Sequence, residues 1–106
     1  MNKVRVLVLS GCKQCHNLTT ALDALNISYV PLDADINGNI SDDIEILLGT
    51  INYPIVTVER PPITTHLYRA DDASKLGFNP IDHHTNKMGF TTVEQMVQQI
   101  ETILNT

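Results

Sequence analysis

The sequence predicts a small α/β domain in which helices flank a four-stranded mixed sheet, in the order β-α-β-α-β-β-α. Three observations predict it. Val4 to Leu9 is an almost unbroken aliphatic run bounded by Ser10-Gly11, the pattern of a buried central strand. Immediately after it the apolar period changes to that of a helix, and strand and helix patterns continue to alternate. Finally, Val93, Met96, Val97, Ile100, Ile103 and Leu104 draw one apolar helical face near the end of the chain.

Taken in order, the first helix follows from Cys15, Leu18, Leu22 and Leu25, with Lys13, Gln14, Asn17, Thr20 and Asp23 between them, and it ends near Asn26. Ile27 to Asp33 reads as a second strand, and Pro31 within it places that strand at an edge or a bulge. Ser41 is expected to cap a short helix running to Leu48, with Asp42 and Asp43 in its first turn and Gly49 at its end. Ile55 to Val58 forms a third strand, joined through Arg60-Pro61-Pro62 to a fourth at Thr64 to Arg69. His66, alternating with apolar neighbours, is expected on the strand surface. Asn79 to Gly89 reads as a loop. Thr91-Thr92-Val93-Glu94 is expected to form a capping box before the last helix.

The chain has 106 residues and is 42% apolar, enough to bury one core. No repeat, low-complexity tract or Gly/Ser linker divides it, so residues 1–106 read as a single domain. Twelve acidic residues against seven Lys plus Arg give a net charge of −5. No cluster of cations stands ready to neutralise phosphates, which argues against nucleic acid and against a polybasic membrane patch. The apolar run from Val6 to Leu9 is far too short to span a bilayer, and it lacks the longer core and small-residue cleavage site of a secretory leader. A cytoplasmic, monomeric protein is the expectation. In a reducing compartment, two cysteines spaced by two residues point to catalysis or metal binding rather than a structural staple.

Those cysteines lie in Gly11-Cys12-Lys13-Gln14-Cys15-His16, where the first strand gives way to the first helix. A thiolate at a helix N-terminus meets unpaired N–H groups and the positive end of the helix dipole. An ordinary thiol with a pKa of about 8.5 is a few per cent ionised at neutral pH, whereas one near 7 is half ionised. Lys13 adds a positive charge. Cys15, three residues on, lies on the same helix face within bonding reach of Cys12. Cys12 is therefore the candidate exposed nucleophile, and Cys15 the more buried resolving thiol.

With these residues in view, the chain resembles a glutaredoxin, a member of the thioredoxin-like fold. The resemblance runs over nearly its whole length: Val6-Leu7-Val8 leading into Cys12-Lys13-Gln14-Cys15, Tyr53-Pro54 before Ile55-Val56-Thr57-Val58, and Asp71-Asp72 after the fourth strand. It implies a cis Tyr53–Pro54 bond beside the redox pair, with the Tyr53 backbone exposed to pair with glutathione or a protein disulfide. It implies glutathione as co-substrate and no bound cofactor. Gly11, Lys13, Gln14, Tyr53, Pro54, Ala70, Asp71 and Asp72 become the candidate substrate-binding residues, with Asp71 facing the γ-glutamyl amine and Lys13 or Gln14 the glycyl carboxylate. Lys13 and Gln14 replace the family's usual Pro and Tyr, and Tyr68 and Arg69 stand where it carries a Gly-Gly pair. Gly77-Phe78-Asn79-Pro80 is similar to a segment of the glutaredoxin-like redoxins that take electrons from thioredoxin reductase and pass them to ribonucleotide reductase.

Other readings compete. Cys12 to His16 also matches the C-x-x-C-H attachment motif of c-type haem, with Met88 as a distant axial ligand. The missing leader and the buried strand upstream oppose it. Cys12, Cys15 and His16 with Asp82, His83 or His84 offer zinc ligand types, but no second compact pair follows at matched spacing. His83 and His84 read as solvated loop residues and His16 as a helix surface residue. A non-catalytic interaction module would need neither cysteine nor Pro54.

Overall fold

The computed structural model describes residues 2–49 and 52–105. Its strands are β1 (Lys3–Val8), β2 (Val30–Asp33), β3 (Ile55–Arg60), β4 (Ile63–Arg69), β5 (Gly77–Pro80) and β6 (Thr85–Phe90). Its helices are α1 (Lys13–Ala24), α2 (Gly38–Leu48) and α3 (Val93–Leu104), with a 3₁₀ turn at Ala73–Lys75. The strands build one mixed sheet in the order β2-β1-β3-β4-β6-β5. β1 with β2 and β4 with β6 are parallel, and the remaining pairs are antiparallel. The architecture is thus mixed α/β, as expected, with β2 and its Pro31 on an edge.

The sheet has six strands, not four. The difference lies in the segment read as a loop, where Gly77–Pro80 and Thr85–Phe90 pair with each other and β6 adds to β4. β5 is exposed throughout and ends in a proline, and β6 contains Asn86, Lys87 and Gly89. Neither shows the two-residue apolar alternation by which strands are recognised, so partner strands rather than local propensity hold them in place. Gly89 is required there. A Cβ at that position would collide with the Lys75 carbonyl, where the 3₁₀ turn lies against β6 and the Tyr68 hydroxyl donates to Lys75 O at 2.8 Å.

Two helix starts also differ. α2 begins at Gly38, so Ser41 is not its cap, and Asp42 and Asp43 lie beyond its first turn. Ser41 is instead buried, its hydroxyl bonded to Glu45 and to the Tyr53 hydroxyl. Gly49 closes the helix in the left-handed conformation at φ 67°, as expected. The capping box of α3 is shifted by one residue: Thr92 accepts from the Gln95 N–H, and the Gln95 side chain accepts from the Thr92 N–H. Thr and Gln fit these roles as well as Thr91 and Glu94 would, so composition alone does not choose the register.

α1 and α3 cover one face of the sheet. Val4, Val6, Val56, Val58 and Leu67 pack there against Leu18 and Leu22 of α1 and Met96 and Ile100 of α3. α2 covers part of the other face, where Leu7, Ile55 and Tyr68 join Leu48, Ala34, Tyr53 and Cys15. His66 corrects the surface expectation. It lies on this second face, buried at 8% exposure, with Nδ1 2.9 Å from the Thr57 hydroxyl, and burial pushes its pKa below the usual value. Among the described residues no helix is long and apolar enough to cross a membrane.

Candidate functional site

Sheet topology gathers the candidate residues. β1 runs toward the cysteine segment, antiparallel β3 starts at that same end, and β4 returns to it. The turn after Val8, the Tyr53-Pro54 segment before β3 and the Ala70-Asp71-Asp72 segment after β4 therefore share one end of the sheet. Cys12, Cys15, Tyr53 and Ala70 pack into one apolar cluster there.

Gly11 makes the turn into α1 at φ 76°, a conformation that favours glycine. Cys12 is the N-cap of α1, its side chain accepting the Cys15 N–H at 3.1 Å. The sulfur thus occupies the place a capping oxygen usually takes, where backbone N–H groups favour negative charge. Cys12 and Cys15 are joined as a disulfide with Cα atoms 5.3 Å apart. Cys12 is half-buried and Cys15 only 3% exposed, the asymmetry expected of an attacking and a resolving thiol. Lys13 and His16 are exposed on the first turn, and Gln14 is half-buried.

The Tyr53–Pro54 bond is cis, as the resemblance implies; Pro61–Pro62, in the β3–β4 connection, is cis as well. Pro54 is fully buried. The Tyr53 ring is buried with its hydroxyl on Glu45 and Ser41 of α2, and burial followed by the neighbouring carboxylate raises its pKa, so it stays protonated. The backbone of this segment is held from β4. Arg69 Nη2 donates to the Tyr53 carbonyl at 3.3 Å, and Asn52 Nδ2 donates to the Arg69 carbonyl at 3.2 Å.

The two aspartates have separate roles. Asp72 caps the 3₁₀ turn, accepting from the Ser74 N–H and hydroxyl, and these bonds hold its carboxyl below the usual range. Asp71 pairs with Lys75 at 3.0 Å, and Lys75 also donates to the Gly49 carbonyl at 2.6 Å. Lys75 is correspondingly raised in pKa, first by its bond to Asp71.

Beside the redox pair lies an open groove of about 570 Å³ bordered by Gly11, Cys12, Lys13, Thr19, Tyr29 and Pro31. His83 and His84 are elsewhere. They sit on the connection between β5 and β6, at the end of the sheet opposite the cysteines, where the His84 carbonyl accepts from the Thr64 N–H. Among the described residues no three His, Cys, Asp or Glu side chains are grouped to hold a metal ion. Arg69, Lys75, Ser41 and Glu45 were not among the sequence candidates. Only the Tyr68-Arg69 replacement of a glycine pair marked this region, and nothing in its spacing reveals that Arg69 reaches back to Tyr53.

No protein-family model matches the chain, and no curated protein matches it.

Proposed function

We propose that the chain is a dithiol thiol–disulfide oxidoreductase of the glutaredoxin type, on a thioredoxin-like fold enlarged by the β5–β6 pair. The observation that carries this reading is the cysteine pair at the N-terminus of α1, with a half-buried Cys12 bonded to a buried Cys15 next to cis-Pro54. In the reduced enzyme the Cys12 thiolate attacks a substrate disulfide. One substrate thiolate leaves and a mixed disulfide forms on Cys12. The Cys15 thiolate then attacks the Cys12 sulfur, releasing the second substrate thiolate and closing the Cys12–Cys15 disulfide. Two electrons pass from the pair to the substrate, and two glutathione molecules or a dithiol reductase restore it.

Glutathione is the proposed co-substrate, with Lys13, Gln14, the Tyr53 backbone and Asp71 as its contacts. One set of observations favours a second donor. The Tyr53 carbonyl already accepts from Arg69, Asp71 already pairs with Lys75, and the open groove beside Cys12 is lined by Gly11 and Lys13 but by neither Tyr53 nor Asp71. A redoxin fed by thioredoxin reductase, with ribonucleotide reductase as its client, needs none of the glutathione contacts.

The cysteine variants test both readings. Cys12→Ser should lose all exchange with a small disulfide, whereas Cys15→Ser should lose protein-disulfide reduction and retain a stable adduct on Cys12. If Cys15→Ser were the inactive one for small disulfides, the roles would be reversed. With oxidised glutathione as reagent, an adduct on Cys12 in the intact mass of Cys15→Ser supports the glutathione-linked enzyme. Reduction by thioredoxin reductase without such an adduct supports the alternative.

A further inference from the structure

On the sheet face opposite α1 and α3, Arg5, Thr57, His66 and Lys87 are successive register partners on β1, β3, β4 and β6. Register partners share a face and stand about 4.8 Å apart, so these residues form a straight row across four strands. Every side chain in the row can donate a hydrogen bond. Cations stand at both ends, and the nearest acid on this face, Glu59, pairs with Arg5 through one guanidinium nitrogen. In a chain of net charge −5, two of seven cations therefore flank one buried imidazole.

Three of the four, Arg5, Thr57 and His66, form the polar floor of a cavity, and Lys87 stands next to His66 beyond its lining. Between α2 and the sheet lies a space of about 360 Å³ lined by Arg5, Thr57 and His66 together with Leu7, Leu32, Ile40 and Ile44. That size falls at the small end of the ~300–1,000 Å³ usual for ligand pockets, and an apolar wall with few converging polar groups is their usual composition. His66 Nδ1 is taken by Thr57, and Nε2 has no hydrogen-bond partner among the described residues. When the Thr57 hydroxyl donates to Nδ1, the ring proton sits on Nε2 as an unused donor at the cavity floor.

We infer that this cavity binds a small amphiphilic carboxylate, its anionic head over His66 between Arg5 and Lys87 and its hydrocarbon tail under α2 against Leu7, Leu32 and Ile44. The head group would accept from Nε2 and from the Arg5 guanidinium, which it would share with Glu59. The tail would cover apolar surface that includes Ile40, which is 45% exposed at the helix edge. The tail wall shares Leu7, Leu32 and Ile44 with the cluster that holds the cysteine pair, but neither cysteine lines the cavity, and the inference does not rest on the redox reading.

The test uses the whole oxidised protein and octanoate as probe, following the His66 ring signals by NMR, with octanol and octylammonium as controls of the same tail. Saturable binding of octanoate that shifts the His66 ring, with octanol about tenfold weaker or worse, is the expected result, since a charge-assisted hydrogen bond contributes about 1.5–3 kcal/mol. The double substitution Arg5→Gln with Lys87→Gln should remove that preference while leaving octanol binding unchanged. Equal binding of octanoate and octanol would overturn the anion site, and absence of saturable binding would overturn the cavity as a ligand site. Should the double variant fail to fold, the octanoate–octanol comparison in the unsubstituted protein decides alone.

Discussion

The two faces of the sheet are built on different terms. The face under α1 and α3 is a largely apolar layer in which Val6, Leu18, Leu22, Val56, Leu67, Met96 and Ile100 are wholly buried, with Thr65 buried beside them. The face under α2 buries polar groups as well: Ser41, the Tyr53 hydroxyl, Thr57 and His66. Apolar packing is non-directional and tolerates small shifts, whereas buried hydroxyls and imidazoles require particular partners. The first face therefore supplies stability, while the second fixes orientation, including that of the Tyr53-Pro54 segment beside the cysteines. Cys15 lies where the two requirements meet, on a helix anchored by one face and packed at its first turn against the cluster of the other.

The largest effect that would sharpen this contrast is on the apolar face. Leu22→Ala should cost about 2–5 kcal/mol in denaturant unfolding, from lost transfer energy and the cavity left behind. The folded fraction should still exchange disulfides at the unsubstituted rate. A loss of exchange beyond the loss of folded protein would mean that the division between the faces is wrong.

A smaller effect is expected from Tyr53→Phe. It removes the hydroxyl shared by Ser41 and Glu45, which retain their bond to each other, so about 1 kcal/mol of stability should go. Exchange with a protein disulfide should slow by more than that loss explains, because the segment beside Cys12 is no longer tied to α2. An unchanged rate would reduce the network to a purely structural role.

The smallest effect is on pH dependence. His66 has a folded pKa below its unfolded value of about 6.5, so the unfolded chain binds the extra proton first on acidification. Its contribution is fully present above pH ~6.5 and declines as the pH falls through the folded pKa. Asp72 and Asp82, whose pKa values are also lowered, act in the same direction but only near and below the carboxylate range. Urea unfolding between pH 7 and pH 5 should therefore show falling stability, and His66→Gln should flatten the slope. An unchanged slope in the variant would place the titrating group elsewhere.

Much of this was legible in the sequence. β1, α1, β3, β4 and α3 follow from apolar period, and the cysteine pair declares itself by its place between a strand and a helix. The cis Tyr53–Pro54 bond was legible only through resemblance. β5 and β6 were not, because Gly77, Pro80, Asn86 and Gly89 give no strand pattern and the pairing with β4 is long-range. The burial of His66 was hidden for a related reason: alternation places it on a face, but not beneath whatever covers that face. Arg69 was visible only as a missing glycine. Its reach to the Tyr53 carbonyl depends on two segments that meet only in the folded sheet.

The central claim, that Cys12 is the nucleophile because it caps α1, is tested most directly by the pH dependence of iodoacetamide alkylation in the reduced protein, with the modified residue assigned by peptide mass. Cys12 should be alkylated first, with a midpoint below the ~8.5 of a free thiol. Alkylation of Cys15 first, or a Cys12 midpoint at or above that value, would contradict it.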